Sequence, residues 1–293
     1  MSTFRNLIKI SRPTHLLLAT LTYSLGAGIA RYLGHPINAV VFGLGLLAAL
    51  AIQVASCWLV EHFRLPLTPL GQGETPRQRE YFQVRLLQAS YAALTLAGAI
   101  MISLFVTGLL KAPPAILLGL ITLLLIANAL PPMRLSENGY GELVLAIYLG
   151  TLLPALAFLL QFSEFHRLVT FVTFPVTLLA LVYLLVCDFP TYATDQKLGR
   201  HTLLTRLTWQ HAIPIHHFLI LAAFLLFASG SFFGIPWGLI WPVFLVLPFA
   251  VVQIIWLQRI SLGGRTLWNF LTYLATATLG LTAYLLAFTF WIR

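Results

Sequence analysis

Charged residues are scarce in this chain of 293 residues. Asp, Glu, Lys and Arg together make up 9% of the sequence, whereas hydrophobic residues make up 59%. An ordinary soluble domain carries about 25% charged residues, which cover its surface. The composition therefore excludes a soluble globular protein and predicts an integral membrane protein.

Acidic residues and cysteines are rarer still. Eight Asp and Glu stand against 17 Lys and Arg, which gives a formal net charge of +9. Because no basic tract contains interleaved aromatic residues, we expect no nucleic acid partner; the positive charge favours contact with the anionic headgroups of a lipid bilayer. The two cysteines, Cys57 and Cys187, each lie near the end of an apolar segment, and we assign both of these ends to the cytoplasmic side. That compartment is reducing, so no disulfide is expected.

Long apolar segments account for most of the sequence. A helix needs about 20 apolar residues to cross a bilayer, because lipid offers no hydrogen-bond partner to an exposed backbone group. Nine segments qualify, with approximate bounds 15–30, 37–60, 82–110, 113–130, 142–161, 168–187, 213–230, 236–257 and 267–290. We therefore predict an all-α membrane protein of nine transmembrane helices, which forms a single domain over residues 1–293.

Basic residues fall mostly on one side of these spans. If the N-terminus is cytoplasmic, thirteen of the 17 Lys and Arg residues lie on the cytoplasmic side. The positive-inside rule then predicts a multi-pass protein of the plasma or inner membrane, with its N-terminus inside and its C-terminus outside. Seven of the eight acids lie on that same side, and Glu164 alone lies on the other. The rule does not require acids to follow the cations, so their segregation indicates a functional site.

Two predicted cytoplasmic connections are long, at about 61–81 and 188–212. Long loops in compact proteins usually carry function. Each loop begins with an acid at the end of a span, Glu61 in one and Asp188 in the other. Residues 60–68 (VEHFRLPLT) align with residues 187–195 (CDFPTYATD), which indicates an internal repeat. We expect the two loop starts to face each other across one cytoplasmic pocket.

The aligned segments resemble the paired aspartate-rich motifs of the UbiA superfamily of intramembrane prenyltransferases, whose pattern is Asn-Asp-x-x-Asp-x-x-x-Asp. Further stretches are similar to motifs of its dihydroxynaphthoate polyprenyltransferase branch, in menaquinone synthesis. These stretches are Ser11-Arg-Pro13, Pro131-Pro-Met-Arg-Leu135, Gly139-Tyr-Gly-Glu142 and Gly199-Arg-His-Thr-Leu203. The resemblance covers nearly the whole chain and implies nine helices around a central pocket.

Both acidic motifs are incomplete in this chain, since three of the six acidic positions of the pattern survive. The remaining carboxylates are Glu61, Asp188 and Asp195, and the replaced positions are Arg64, Thr68 and Thr191. Asn128 also stands near a position where the superfamily has a tyrosine.

The resemblance implies transfer of a polyprenyl group from an allylic prenyl diphosphate to an aromatic acceptor, such as the quinone precursor dihydroxynaphthoate. Breaking the allylic carbon–oxygen bond leaves a highly charged diphosphate, which Mg²⁺ neutralises as the implied cofactor. On a continuous helix, Asp188 and Asp195 share one face but lie about 10 Å apart. We therefore expect Glu61 to share an ion with Asp188. The implied site residues are Glu61, Asp188 and Asp195 as metal ligands, and Arg64, Arg134, Lys197, Arg200 and Thr191 as diphosphate contacts.

Other interpretations stay open on the sequence alone. Glu61 and Arg64 are three residues apart, a spacing that is typical of a simple salt bridge on one helix face. Because the first motif has lost acids, the alternative function is a catalytically impaired relative that binds isoprenoid or partners another prenyltransferase. A transporter is a third interpretation. It is disfavoured because transporter sites lie near the bilayer midplane, whereas these acids cluster at one end.

Overall fold

The computed structural model describes residues 3–64 and 76–293. Within these two ranges every regular element is helical, apart from one isolated bridge between Asn138 and His201. The predicted all-α class is therefore confirmed. The helices in chain order are α1 (Thr3–Ile10), α2 (Pro13–Tyr32), α3 (Ala39–His62), α4 (Pro76–Val106), α5 (Ala112–Ala129), α6 (Gly141–Ile147), α7 (Leu153–Gln161), α8 (Arg167–Asp188), α9 (Tyr192–Lys197), α10 (Leu203–Ser229), α11 (Trp237–Ile240), α12 (Leu247–Ser261) and α13 (Trp268–Ile292).

Among the described residues, eight segments are long and apolar enough to cross a membrane. They are α3, α4, α5, α6 with α7, α8 with α9, α10, α11 with α12, and α13. The sequence predicts α2 as a further span, and this helix has 20 residues. It is not among the eight, because threonine, serine and glycine dilute its apolar residues. The count of nine spans therefore stays a prediction.

Helix α2 is packed closely inside the bundle, chiefly against α13 and α7. The middle of this helix is rich in small residues, and Gly26, Ala27 and Gly28 are all buried. Small side chains let helix backbones approach each other where lipid provides no hydrophobic drive for association. At Gly26 the approach is closest, because a Cβ there would overlap the backbone carbonyl of Pro154 in α7.

A π-helical turn, Tyr148–Leu152, joins α6 to α7 within one span. The hydroxyl of Tyr148 is buried and lies 3.3 Å from the carbonyl oxygen of Ala49 and 3.3 Å from Oε1 of Gln53, both in α3. The hydroxyl oxygens of Thr151 and Thr177 are 2.6 Å apart, which links the same turn to α8. Turns of this kind are frequent at functional sites. This one connects α3 with α8, the two helices that end at the candidate acids.

The connection predicted at about 188–212 is mostly helical, which corrects its interpretation as a long loop. A 3₁₀ turn over Phe189–Thr191 leads into α9, and α10 begins at Leu203. These turns are polar, so the apolar pattern alone did not reveal them. In the first connection, α3 ends at His62 and α4 begins at Pro76. Residues 65–75, including Thr68, lie outside the described residues.

The packing of α2 predicts that Gly26→Ala destabilises the protein by about 1–3 kcal/mol, since the added methyl group meets fixed backbone. Thermal unfolding in detergent micelles measures the effect. Gly43→Ala in α3 is the matched control, because a Cβ there has no neighbour within 4 Å. Equal unfolding temperatures for Gly26→Ala and the wild type would contradict this packing.

Candidate functional site

A cavity of about 160 Å³ lies at one end of the bundle, where α3 and α8 end and α2 and α6 begin. Glu61 and Asp188 both line it, although they are far apart in the sequence. The structure thus brings together the two acids that begin the aligned segments. This volume exceeds the space that one water molecule needs by roughly tenfold, so the cavity has room for a polar headgroup.

Charges of both signs line this cavity. Its carboxylates are Glu61, Glu142 and Asp188, and its cations are Lys9, Arg12 and Arg200. Buried charges are costly unless they are paired, and this set balances in formal charge. Leu125, Leu145 and Leu184 line the same cavity and give it an apolar wall. The arrangement suits a ligand with a charged head and an apolar tail.

Glu61 forms an ion pair with Arg64, which lies just after the end of α3. Nη1 of Arg64 lies 3.1 Å from Oε1 and 3.2 Å from Oε2 of Glu61. The salt bridge expected from their spacing is therefore present, and Arg64 is not among the residues that line the cavity. The guanidinium neutralises Glu61 locally, so a metal ion at Glu61 would compete with Arg64.

Asp188 is the last residue of α8 and has fewer partners. Its neighbouring charged groups are Glu142, Arg12 and Arg200. Oδ2 of Asp188 is buried and has no hydrogen-bond partner, and the same holds for Oδ1 of Asn128. Buried acceptors without donors are rare in folded proteins. The side chain of Glu142 lies next to that of Asp188, so a cation or a donor that enters the cavity can interact with both carboxylates.

Asp195 lies outside the cavity lining, in α9. Its side chain is 5% exposed, and Oδ2 accepts a hydrogen bond of 2.7 Å from the hydroxyl of Thr191. Oδ1 lies 3.5 Å from Nη1 of Arg200, which does line the cavity. In this structure Asp195 therefore orients Arg200. Lys197, on the same helix, is exposed and lies away from the cavity lining.

The assumption of one continuous helix from Asp188 to Asp195 is wrong. A 3₁₀ turn over Phe189–Thr191 separates α8 from α9. Pro190, inside this turn, has no N–H to donate to an α-helical hydrogen bond. The two carboxylates consequently have different surroundings, one at the cavity and one beside Thr191.

Arg134 pairs with Glu137, with Nη1 3.3 Å from Oε2, and is not among the lining residues of the cavity. Its backbone has a positive φ of 38° in the turn between α5 and α6. The contact of Arg134 with diphosphate stays a prediction. Ser136 and Asn128, from the same region, do line the cavity.

Two cavity cations were not among the predicted site residues: Lys9, in the last turn of α1, and Arg12, between α1 and α2. Arg12 adopts the left-handed conformation, with φ 49°, as the chain turns into α2. The indole N–H of Trp58 donates a 3.2 Å hydrogen bond to the carbonyl of Leu7, which fixes α1 against α3. The Ser11-Arg-Pro13 motif contained the signal for Arg12.

Glu142 was also omitted, although the Gly139–Glu142 motif contains it. Gly139 has a positive φ of 74°, which favours glycine. A Cβ on Gly139 would also overlap the side chain of Arg206. Gly141 packs against Ser136, since a Cβ on Gly141 would lie 2.7 Å from the Cα of Ser136. Oε2 of Glu142 then accepts a 3.2 Å hydrogen bond from the N–H of Leu203 at the start of α10. The two glycines permit the tight turn that directs Glu142 to the cavity.

In residues 3–64 and 76–293, no cluster of three His, Cys, Asp or Glu side chains is close enough to hold a metal ion by itself. A hard divalent cation often binds through one or two carboxylates and completes its shell with water and phosphate oxygens. The cavity fits that mode, because it offers carboxylates with an unpartnered oxygen next to cations that attract phosphate.

Solved structures of UbiA homologues share this fold. The apo structure of a UbiA homolog from Aeropyrum pernix K1 aligns with a TM-score of 0.67 and 17% identity, over 92% of this chain and 95% of its own. A UbiA homolog from Archaeoglobus fulgidus bound to GPP and Mg²⁺ aligns with a TM-score of 0.60 and 14% identity, over 98% of this chain and 100% of its own.

A structure of digeranylgeranylglyceryl phosphate synthase aligns over 100% of both chains, with a TM-score of 0.57 and 13% identity. No protein-family model matches this sequence, and no curated protein matches it either. At these identities the likeness establishes the fold. The chain therefore has the UbiA fold that its motifs predict.

The contacts of Asp195 predict that Asp195→Ala destabilises the protein by about 1–3 kcal/mol, because Thr191 and Arg200 lose a buried acceptor. Asp195→Asn should cost less, since its amide oxygen still accepts from Thr191. Thermal unfolding in micelles, without added metal, measures both variants. Lys197→Ala, on the same helix but exposed, is the control and should stay within about 0.5 kcal/mol of the wild type. An Asp195→Ala protein as stable as this control would show that the buried contacts contribute nothing.

Proposed function

We propose that this protein is an intramembrane prenyltransferase, which transfers a polyprenyl group from an allylic prenyl diphosphate to an aromatic acceptor. The observation that carries the proposal is the cavity, where Asp188 and Glu61 meet Arg12 and Arg200 within a UbiA fold. The chain's sequence motifs further favour a quinone precursor, such as dihydroxynaphthoate, as the acceptor. We also propose that residues 1–293 form one membrane domain whose cavity opens to the cytoplasm, in line with the distribution of basic residues.

The diphosphate head binds to the cations of the cavity. Arg12 and Arg200 present guanidinium groups, which bind phosphate oxygens in pairs, and Lys9 adds a third positive charge. Arg64 and Arg134 each already pair with a glutamate, and Lys197 is exposed. Their contacts with diphosphate stay predictions. The cations that line the cavity are the more direct candidates.

Mg²⁺ is the proposed cofactor. Of its three predicted ligands, Asp188 and Glu61 line the cavity, and Glu61 is already paired with Arg64. The UbiA homologues from Archaeoglobus fulgidus include forms bound to Mg²⁺ with GPP and with DMAPP. When bound, the ion would supply positive charge where the leaving diphosphate becomes more negative. A metal-ligand role for Asp195 stays a prediction, since its oxygens here face Thr191 and Arg200.

The apolar wall of the cavity serves the prenyl group. Leu125, Leu145 and Leu184 exclude water from the carbon chain near the reacting bond. Water exclusion matters because an allylic cation that meets water is hydrolysed rather than transferred. The residues that position the aromatic acceptor are unassigned.

A non-catalytic isoprenoid-binding protein is the second candidate, and one observation favours it. Arg64 approaches both carboxylate oxygens of Glu61, the acid that the first motif retains. If this ion pair persists with ligand, binding survives while metal-assisted ionisation is weakened. Binding and turnover therefore have to be measured separately.

For turnover, Asp188→Asn should lower Mg²⁺-dependent release of diphosphate roughly 100-fold or more, because it removes a carboxylate that would hold the cation needed to neutralise the leaving diphosphate. The assay uses purified protein with allylic donors of several chain lengths and an aromatic acceptor. Glu164→Gln, which changes an exposed acid distant from the cavity lining, is the matched control. Wild-type protein that releases no diphosphate from any donor would refute the enzyme and favour the second candidate.

For binding, the two cysteines provide a direct reporter, since Cys57 and Cys187 both line the cavity and neither is in a disulfide. Inorganic diphosphate with Mg²⁺ should slow their modification by methyl methanethiosulfonate in proportion to occupancy. The control is a single Ser163→Cys introduced into a protein with both native cysteines replaced by serine. Its labelling should not respond to diphosphate. Unprotected native cysteines at saturating diphosphate would contradict the proposed binding site.

A further inference from the structure

Glu142 is a carboxylate of the cavity that lies outside both acidic motifs. It occupies the first turn of α6 and lines the cavity together with Asp188 and Glu61. Its side chain interacts directly with that of Asp188. The acids of the cavity therefore come from three elements, α3, α6 and α8, and not only from the two helices of the internal repeat.

These three acids differ in how far a neighbouring cation already balances their negative charge. Arg64 lies 3.1 and 3.2 Å from the two oxygens of Glu61, so that carboxylate is neutralised without a ligand. A cation that binds Glu61 has to displace or share this guanidinium. Glu61 is consequently the least available of the three carboxylates.

Among the described residues, neither Asp188 nor Glu142 forms an ion pair like that of Glu61 with Arg64. Oδ2 of Asp188 is buried without a hydrogen bond, and Glu142 receives one backbone N–H, from Leu203. Two carboxylates that face each other repel unless a cation or a proton lies between them. Arg12 and Arg200 are close to Asp188, but both line the cavity, where they are also available to bind phosphate. The pair is the place where an additional positive charge is most stabilising.

We propose that Glu142 and Asp188 together bind the divalent cation, so that Glu142 supplies a carboxylate that the first acidic motif has lost. The identity of the ion as Mg²⁺ rests on the proposed function, whereas the ability of the pair to bind a divalent cation does not. Mg²⁺ commonly takes one or two protein carboxylates and fills its other positions with water and phosphate. A pair of acids therefore suffices.

The surroundings of Glu142 support a fixed ligand. The turn at Gly139 and Gly141 sets the start of α6, and the N–H of Leu203 holds one carboxylate oxygen. Hydrogen bonds to a ligating carboxylate orient it and are part of a metal site. The same bond connects the site to the first turn of α10.

The experiment measures Mn²⁺ binding to purified protein in micelles by electron paramagnetic resonance, without any prenyl donor. Glu142→Gln should weaken Mn²⁺ binding at least about tenfold, as loss of a supporting carboxylate does at other metal sites. Asp188→Asn should weaken it at least as much, and Glu61→Gln should have a smaller effect. Glu164→Gln is the control and should bind Mn²⁺ like the wild type.

Glutamine at position 142 keeps an oxygen that accepts from Leu203 and removes only the charge. Metal-free Glu142→Gln should therefore unfold at the wild-type temperature. This measurement distinguishes a metal-binding role of Glu142 from a purely structural role at the start of α10. The inference is overturned if Glu142→Gln binds Mn²⁺ normally, or if Glu61→Gln loses as much affinity. It is also overturned if the wild type binds no Mn²⁺, since the pair then shares a proton instead.

Failure of this inference can be distinguished from failure of the proposed function. If Glu142→Gln keeps Mn²⁺ affinity and turnover while Asp188→Asn loses turnover, the prenyltransferase stands and the role of Glu142 is refuted. If Glu142→Gln loses Mn²⁺ affinity but the wild type turns over no prenyl diphosphate, the cation site stands and the enzyme is refuted.

Discussion

Compensation of buried carboxylates is the constraint on which the rest of this structure depends. A carboxylate at the end of an apolar bundle is costly unless a cation or a set of donors offsets its charge. Glu61 is offset by Arg64 within one helix turn, and Asp195 by Thr191 and Arg200. Asp188 keeps an oxygen without a donor. Among the described acids, the structure thus separates those that a nearby cation offsets from Asp188 and Glu142, which face the cavity.

The fold was largely readable from the sequence because helices in a membrane leave long apolar runs. The bounds of α3, α5 and α8 differ from the predicted spans by only a few residues. The predictions failed where the helix is polar, in α9 and in the first turns of α10, since their stability comes from packing and capping rather than from contact with lipid. Helix α2 was predicted as a span at 15–30 and covers Pro13–Tyr32. Its small residues allow close contact with α7, and they also make it less apolar than the other spans.

The candidate site was predictable in part. The motif acids Glu61 and Asp188 do meet at one cavity, because α3 and α8 end on the same side of the bundle. Sequence spacing did not reveal which acids are already paired, since the contacts of Asp195 with Thr191 and Arg200 depend on how the chain folds after α8. Arg12 and Glu142 were missed as site residues because their proximity to Asp188 is a tertiary contact between elements distant in the chain.

The attachment of α1 has a practical consequence for handling this protein. Lys9 and Arg12 precede the first long helix, and the bond from Trp58 to Leu7 holds their segment against the bundle. Shortening the chain by a dozen residues would remove two of the three cavity cations and leave all eight apolar spans intact. Membrane insertion of such a truncated protein would therefore not show that its cavity is intact.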